Sequence, residues 1–133
     1  MAKEIQSSMG QGSKLVLLLS GGECTVTRRG DGIGGPNAEF TLAAILALEG
    51  CRGIDVLACD TDGVDGAAEV AGAIANAETI LKATAQGISA KAALANNNAH
   101  GFFASVDAQI VTGPTLTNVN DFRAILIQFA GKE

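Results

Sequence analysis

The chain has 133 residues, of which 47% are hydrophobic, and carries a formal net charge of −5. A chain of this length fits one domain that buries enough surface to fold without disulfides or metal. The nine basic residues form no stripe and aromatics make up only 4%, which argues against a nucleic-acid partner. The longest apolar run, Leu15–Leu19, is too short to span a bilayer.

Three cysteines occur at positions 24, 51 and 59, without C-x-x-C spacing. This usage predicts buried, reduced thiols in a cytoplasmic protein. Residues 1–14 are polar and aperiodic. We interpret them as a leader that is flexible or derived from an expression vector, with a short docking helix as the alternative, and expect the ordered domain over residues 15–133.

The first half of the domain predicts strands around a helix. LVLLLS, residues 15–20, is a continuous apolar run, typical of a strand buried on both faces. ECTVTRR, residues 23–29, alternates like a half-exposed strand and follows after a Gly-Gly turn, which predicts an antiparallel hairpin. Pro36 fits the first turn of a helix over residues 37–48. A second apolar strand is predicted over residues 54–60.

In the second half, Asp65 is positioned to cap a helix from Gly66 to about Ala75. Three more helices are predicted, over residues 78–86 with a stop at Gly87, over residues 90–95 capped by Ser89, and from a cap at Asn98. Strands are predicted over residues 108–113 and 122–129. These elements, with hairpins at both ends, predict an α/β domain of three α/β/α layers with a mixed β-sheet.

The loop GDGIGG, residues 30–35, has the G-x-G-x-x-G spacing of a dinucleotide-binding turn. Such a turn needs a buried parallel strand before it and an acidic residue at the end of the next strand. Here the preceding segment has the pattern of a hairpin strand, Asp55 begins the next strand and Asp60 comes too late. We therefore expect no dinucleotide site, although Gly34 and Gly35 precede a helix N-terminus that could bind an anion.

Four polar segments adjoin strands or helices: SGGE, GGPNAE, DTDGVDG and TGPTLTNVNDFR. Because ligands favour loops at strand ends, we expect these segments to cluster at one edge of the sheet. Structural roles compete at each position, since Asn37 could cap its helix and the Thr- and Asn-rich loop could bond to itself. The candidate substrate-binding residues are Ser20, Gly21, Gly22, Glu23, Gly34, Asn37, Glu39, Thr115, Thr117, Asn118, Asn120 and Arg123.

Three carboxylates lie on the loop after the second strand, and Asp62 is the candidate for a Mg²⁺ contact. The competing interpretation is a turn in which Asp60 and Asp65 bond to nearby backbone and cap a helix. His100 is the sole histidine, so a surface or capping role is expected for it.

Taken together, the four segments resemble the MOFRL domain, the C-terminal domain of the glycerate 2-kinases that are often labelled hydroxypyruvate reductases. The resemblance covers residues 15–127 and is carried by LSGGE-TVT-RG, GG-N-EF, DTDGVDG and VTGPTLTNVNDFRAILI, in the family's order and spacing. The last string is long and therefore specific. Departures from the family pattern are Pro36 in place of Arg, Ala38 in place of Gln, and His100 near a common Tyr.

This resemblance implies one domain of a two-domain enzyme that transfers the γ-phosphoryl group of ATP to D-glycerate with Mg²⁺, giving 2-phosphoglycerate. The catalytic lysine would belong to an N-terminal domain, in the same chain or separate, and this chain would form one wall of the cleft. We expect the chain alone to be inactive and to bind no cofactor tightly. Its expected partners are a small anionic substrate and, as a further option, other copies of the chain in a homo-oligomer, with no membrane or nucleic-acid partner. The alternatives are a non-catalytic anion-binding or assembly module and an NAD(P)H-dependent hydroxypyruvate reductase.

Overall fold

The structure, a computed structural model, describes residues 1–10, 12, 15–23, 29–66 and 69–129. Its strands form one five-stranded sheet in the order β1-β5-β2-β3-β4. In chain order the elements are α1 (Ala2–Ser7), β1 (Val16–Gly22), α2 (Pro36–Ala47), β2 (Ile54–Asp60), β3 (Gly72–Ala75), α3 (Ala77–Ala85), α4 (Ala90–Ala95), α5 (Ala99–Ser105), β4 (Gln109–Ile110) and β5 (Asp121–Ile127).

The predicted α/β class is confirmed, but the sheet differs from the mixed sheet expected. All four pairings among the described strands are antiparallel. The reason is the position of β5, which is last in the chain yet lies between β1 and β2 and runs opposite to both. Within the described residues, no helix is both long and apolar enough to cross a membrane.

The layering also differs from the prediction. Side chains from all five described helices pack into one core on a single face of the sheet, around Leu42, Val56 and the edge-to-face rings of Phe102 and Phe103. The opposite face is open, and Leu17 and Leu19 are 55% and 60% exposed. The described part of the chain therefore forms two layers, and β1 is partly buried on one face, at Val16 and Leu18, instead of buried on two.

The predicted helix from Gly66 to about Ala75 is wrong, because residues 72–75 form strand β3 against β2. A side chain at Gly72 would lie 1.9 Å from the carbonyl oxygen of Ala58, so this glycine permits the close strand pairing. Helix propensity in this alanine-rich stretch is overridden by tertiary pairing. The strand predicted over residues 108–113 is also shorter, reduced to β4.

Several other predictions are confirmed. Strand β2 has the predicted bounds, α2 starts at Pro36, and the side chain of Ser89 accepts a hydrogen bond from the backbone of Ala92 in α4. Asn98 occupies the N-cap of α5 without a side-chain capping bond. Most of the hairpin strand predicted over residues 23–29 lies outside the described residues.

The N-terminal residues include helix α1, as in the docking-helix alternative. Gln6 is buried, and its side-chain nitrogen donates to the carbonyl oxygens of Arg52 and Gln128. Ala2 and Ile5 pack against the core. Whether the domain boundary falls at residue 15 stays a prediction.

Candidate functional site

Asp65 connects the loop after β2 to the N-terminus of α2. It is fully buried, and its carboxylate accepts hydrogen bonds at 2.9 Å from the backbone N–H groups of both Asn37 and Ala38. The side-chain amide of Asn37 also donates to Asp65, at 3.1 Å, and to Asp121, at 2.8 Å. Asp65 thus caps α2, a helix 28 residues earlier, where a negative charge is favourable. The predicted capping function is kept, but on another helix.

His100 is the second buried partner of Asp65. Its Nε2 lies 2.9 Å from Oδ2 of Asp65, and only 2% of the side chain is exposed. Burial would raise the pKa of Asp65, but the His100 contact and the hydrogen bonds from Asn37 and Ala38 outweigh it and hold the pKa below its ordinary value. His100 is therefore a core residue, not the surface residue expected, although it does lie in the first turn of α5.

Three consecutive asparagines hold the glycine loop. The side chain of Asn97 accepts from the backbone of Gly30 at 2.9 Å, and that of Asn98 accepts from Ile33 at 3.0 Å. The backbone oxygen of Asn96 accepts from Gly32 at 2.9 Å. A loop held this closely leaves no room for side chains at several of its positions.

The glycines of GDGIGG are explained by this packing. A Cβ atom at Gly30 would lie 2.3 Å from the Asn96 side chain, and one at Gly32 would lie 2.3 Å from Cβ of Asn98. A Cβ atom at Gly35 would lie 2.5 Å from the carboxylate of Asp65. The G-x-G-x-x-G spacing therefore has a cause within the protein, and it follows from close approach of the chain to itself.

The loop after β2 packs against the Thr- and Asn-rich loop before β5. The backbone N–H and hydroxyl of Thr61 both donate to the carbonyl oxygen of Asn120, at 3.1 Å and 2.8 Å. The hydroxyl of Thr115 donates to the carbonyl oxygens of Thr61 and Thr117. Asn118 accepts from the backbone of Asn120 at 2.9 Å. The side chains of Thr115, Thr117, Asn118 and Asn120 are exposed, so the two loops contact each other and still present polar groups at the surface.

Arg123 joins the end of β1 to the same region. Its Nε donates to the hydroxyl of Ser20 and its guanidinium donates to the carbonyl oxygen of Gly21, both at 3.0 Å. The guanidinium carbon lies 5.6 Å from the ring centroid of Phe40. Contacts within the chain thus orient this cation.

The four polar segments are in mutual contact, as predicted from their positions beside strand and helix ends. Ser20 and Gly21, in the first segment, accept hydrogen bonds from Arg123 in the last. Asn37, in the second segment, donates to Asp65 and Asp121 in the other two. The third and last segments also approach closely, since a Cβ atom at Gly63 would lie 2.3 Å from the carbonyl oxygen of Gly113. Gly22 and Glu23 follow at the exposed end of β1. Gly34 lies against Asn97, whose side chain also donates to Glu39.

The acidic groups of this region do not form a metal-binding cluster among the described residues. The Asp60 carboxylate accepts from the backbone N–H of Asp62 at 3.1 Å, which is the turn geometry of the competing interpretation. The Asp62 carboxylate accepts in the same way from the backbone N–H of Val64 at 2.8 Å. Burial and the nearby carboxylates of Asp62 and Asp121 raise the pKa of Asp60, against the lowering effect of the Asp62 backbone N–H. Burial and the charges of Asp60, Asp121 and Asp65 raise the pKa of the Cys59 thiol above its ordinary value.

Three contributions to the polar contacts of this region have no counterpart in the sequence analysis: the buried Asp121, His100 as a partner of Asp65, and the Asn96–Asn98 triplet. Asp121 ends a polar loop and begins a strand, a position that carries no signal of burial. The run of three asparagines beside a helix start was a visible signal, because side-chain amides commonly bond to loop backbone.

Comparison with known proteins identifies the fold and its relatives. The model of the MOFRL family matches residues 16–121. The chain is 39% identical over 119 residues to the D-glycerate 2-kinase of Thermotoga maritima, which covers 90% of this chain and 28% of that protein. It is 44% identical over 113 residues to an Agrobacterium vitis protein whose name suggests a hydroxypyruvate reductase, covering 84% of this chain and 29% of that protein.

The solved structure of a Thermotoga maritima glycerate kinase superposes with a TM-score of 0.82 at 40% identity, covering 84% of this chain and 27% of that chain. The chain thus spans less than a third of the length of these relatives. From the match over residues 16–121 and from this structural agreement, the chain belongs to the MOFRL family.

Proposed function

We propose that this chain is the MOFRL domain of a glycerate 2-kinase and forms one wall of the site where ATP phosphorylates D-glycerate to 2-phosphoglycerate. The observation that carries the proposal is the match to D-glycerate 2-kinase over 90% of this chain and only 28% of that protein. The partner is then the remainder of such an enzyme, an N-terminal domain in the same or a separate chain.

The charge of the candidate site supports a shared active site. Phosphoryl transfer needs cations that stabilise charge on the transferring group. The polar segments of this chain carry mainly carboxylates and neutral groups, and Arg123 already donates to Ser20 and Gly21. We therefore propose that the partner domain supplies the catalytic lysine.

The substrate contacts proposed for this wall are the exposed polar groups of the clustered segments. Hydroxyl and amide groups at Thr115, Thr117, Asn118 and Asn120 suit the hydroxyl and carboxylate groups of a hydroxy acid. Asn37 is buried and bonded to two carboxylates, so its part in the site is to hold the loops together.

In the complete enzyme ATP supplies the phosphoryl group, and Mg²⁺ offsets the charge of its phosphates. Asp62 is the carboxylate that we propose for contact with Mg²⁺, because its side chain is only partly buried. Mg²⁺ commonly takes one or two carboxylates together with phosphate oxygens and water. A single carboxylate therefore fits binding of Mg²⁺ together with ATP, and we expect neither to bind tightly to this chain alone.

The test is an assay of 2-phosphoglycerate formation from ATP and D-glycerate. The purified chain should give no measurable turnover, and a chimera in which it replaces the matched segment of the Thermotoga maritima D-glycerate 2-kinase should be active. Turnover by the chain alone that survives re-purification would overturn the proposed division of the site. An inactive but folded chimera would favour the alternative of a non-catalytic anion-binding or assembly module.

A nicotinamide-dependent reductase is the weaker alternative, favoured by the name of the Agrobacterium vitis relative. The packing of Gly30 and Gly32 against Asn96 and Asn98 argues against it, because the loop contacts protein where a dinucleotide turn would contact pyrophosphate. Fluorescence titration with NADH should detect no saturable binding. Saturable binding at micromolar NADH would restore the reductase as a candidate.

A further inference from the structure

The face of the sheet opposite the helices is apolar across four strands. One row places Leu19 beside Ala124, Leu57 and Ile74. Adjacent rows contain Phe122 and Leu17 with its neighbour Leu126. Leu17, Leu19 and Ile74 are 55%, 60% and 48% exposed.

This pattern is not that of a sheet face that remains in water. An antiparallel sheet with one solvated face alternates apolar and polar residues along its strands. Here β1 and β5 carry apolar side chains on both faces, and the charged residue on the open face, Asp55, accepts a hydrogen bond from Asn76. Apolar patches of this kind mark surfaces that another element covers.

The size of the face indicates what kind of element that is. Its three seven-residue strands present roughly 300 Å², from about 4.8 Å between strands and about 3.3 Å per residue. Stable complexes between separate proteins bury about 800 Å² on each partner. The face is therefore small for an interface between two copies of this chain, and it suits a layer that belongs to the same folded unit.

We propose that a further layer of the same enzyme packs against this face. That layer would come from the part of the polypeptide that the longer relatives have in addition to the matched segment. The layer would place its apolar side on Leu17, Leu19, Phe122 and Ile74. Leu19 precedes Ser20 and Phe122 follows Asp121, so the face extends to the end of β1 and β5 at which the candidate site lies, on the opposite side of the sheet. The identity of the covering layer rests on the proposed function.

The experiment compares two double variants in two contexts. Leu17→Lys with Leu19→Lys changes the face, and Leu81→Lys with Ala85→Lys is the control, at two exposed positions of α3 away from both the face and the candidate site. In the isolated chain both variants should keep the melting temperature within a few degrees, because exposed substitutions have small effects. In the chimera with the Thermotoga maritima kinase, only the face variant should lower the melting temperature, by about 5–10 °C.

Equal melting of face-variant and parent chimeras would overturn the proposal. So would a stable dimer of the isolated chain that the face variant, but not the control, converts to monomer, because the face would then join two copies. If the chimera does not fold, the same lysine substitutions are made in the Thermotoga maritima kinase, at the two positions aligned with Leu17 and Leu19. A lowered melting temperature of that kinase then supports the proposal, and an unchanged one overturns it.

Kinase activity is assayed separately. If the face variant destabilises the chimera but the parent chimera has no turnover, the result supports the covering layer and counts against the proposed function. If the parent chimera has turnover and the face variant melts at the same temperature, the result supports the proposed function and contradicts the covering layer.

Discussion

The carboxylate of Asp65 holds Asn37 by both its backbone and its side chain, at 2.9 Å and 3.1 Å, across 28 residues of sequence. One buried side chain therefore orients the start of α2 and joins two of the polar segments. His100 contacts the same carboxylate from α5. Because three elements meet at Asp65, the arrangement of the candidate site depends on it.

Asp65→Ala should lower the free energy of unfolding by about 3 kcal/mol or more, because it leaves several buried donors without their charged acceptor. The substitution removes the acceptor of the Asn37 and Ala38 N–H groups and leaves His100 without its carboxylate. Urea denaturation followed by circular dichroism measures the change. The matched control is Asp62→Ala, which loses a turn hydrogen bond to Val64 and should lower stability by about 1 kcal/mol or less. Equal effects of the two substitutions would contradict the role given to Asp65.

Stability should fall in acid because the pKa of Asp65 is lowered in the folded protein. Its stabilising effect is fully present above the unfolded pKa, about 3.9, and is lost as the pH falls through the lower folded value. Asp60 acts in the opposite direction, since its pKa is raised on folding and its protonation favours the folded state.

Thermal melts from pH 7 to pH 2.5 on the parent chain and on Asp65→Asn isolate the contribution of Asp65, because both proteins keep Asp60. The difference in stability between the two should shrink as the pH falls below about 4. A difference that stays constant over this range would mean that ionisation of Asp65 does not contribute to stability.

Gly32→Ala should destabilise the chain by about 2 kcal/mol or more, within the range for overpacking in a close-packed region. The added methyl group would lie 2.3 Å from Cβ of Asn98, so either the glycine loop or the start of α5 must shift. Gly10→Ala is the control, since no atom lies within 4 Å of its Cβ position. Chemical denaturation measures both, and an unchanged stability of Gly32→Ala would show that the loop is not held by the asparagine triplet.

Gln6→Ala should lower the free energy of unfolding by about 1–3 kcal/mol, because it removes two hydrogen bonds that a buried side chain donates to backbone carbonyl groups. The affected carbonyls are those of Arg52 and Gln128. Lys3→Ala, which removes an exposed 3.5 Å ion pair with Glu49, should change stability by about 0.5 kcal/mol or less. If the two variants unfold at the same denaturant concentration, α1 is a dispensable leader after all.

Local patterns determined much of this protein. Apolar runs, Pro36, Ser89 and Gly87 predicted β2, α2, α4 and the end of α3, because hydrophobic periodicity and caps act over a few residues. The long string of residues 111–127 was specific enough to indicate the MOFRL family, which the match over residues 16–121 bears out.

Contacts between distant segments decided the rest. The alanine-rich residues 72–75 are compatible with a helix, and only pairing with β2 makes them a strand. The glycine spacing at residues 30–35 imitates a dinucleotide turn, whereas its cause lies in asparagines more than sixty residues later. Asp65 looked like a local cap, but the helix that it caps comes 28 residues earlier. Local propensities are worth fractions of a kcal/mol per residue, and burial of a charge or a close backbone contact outweighs them, so these features depend on the tertiary structure.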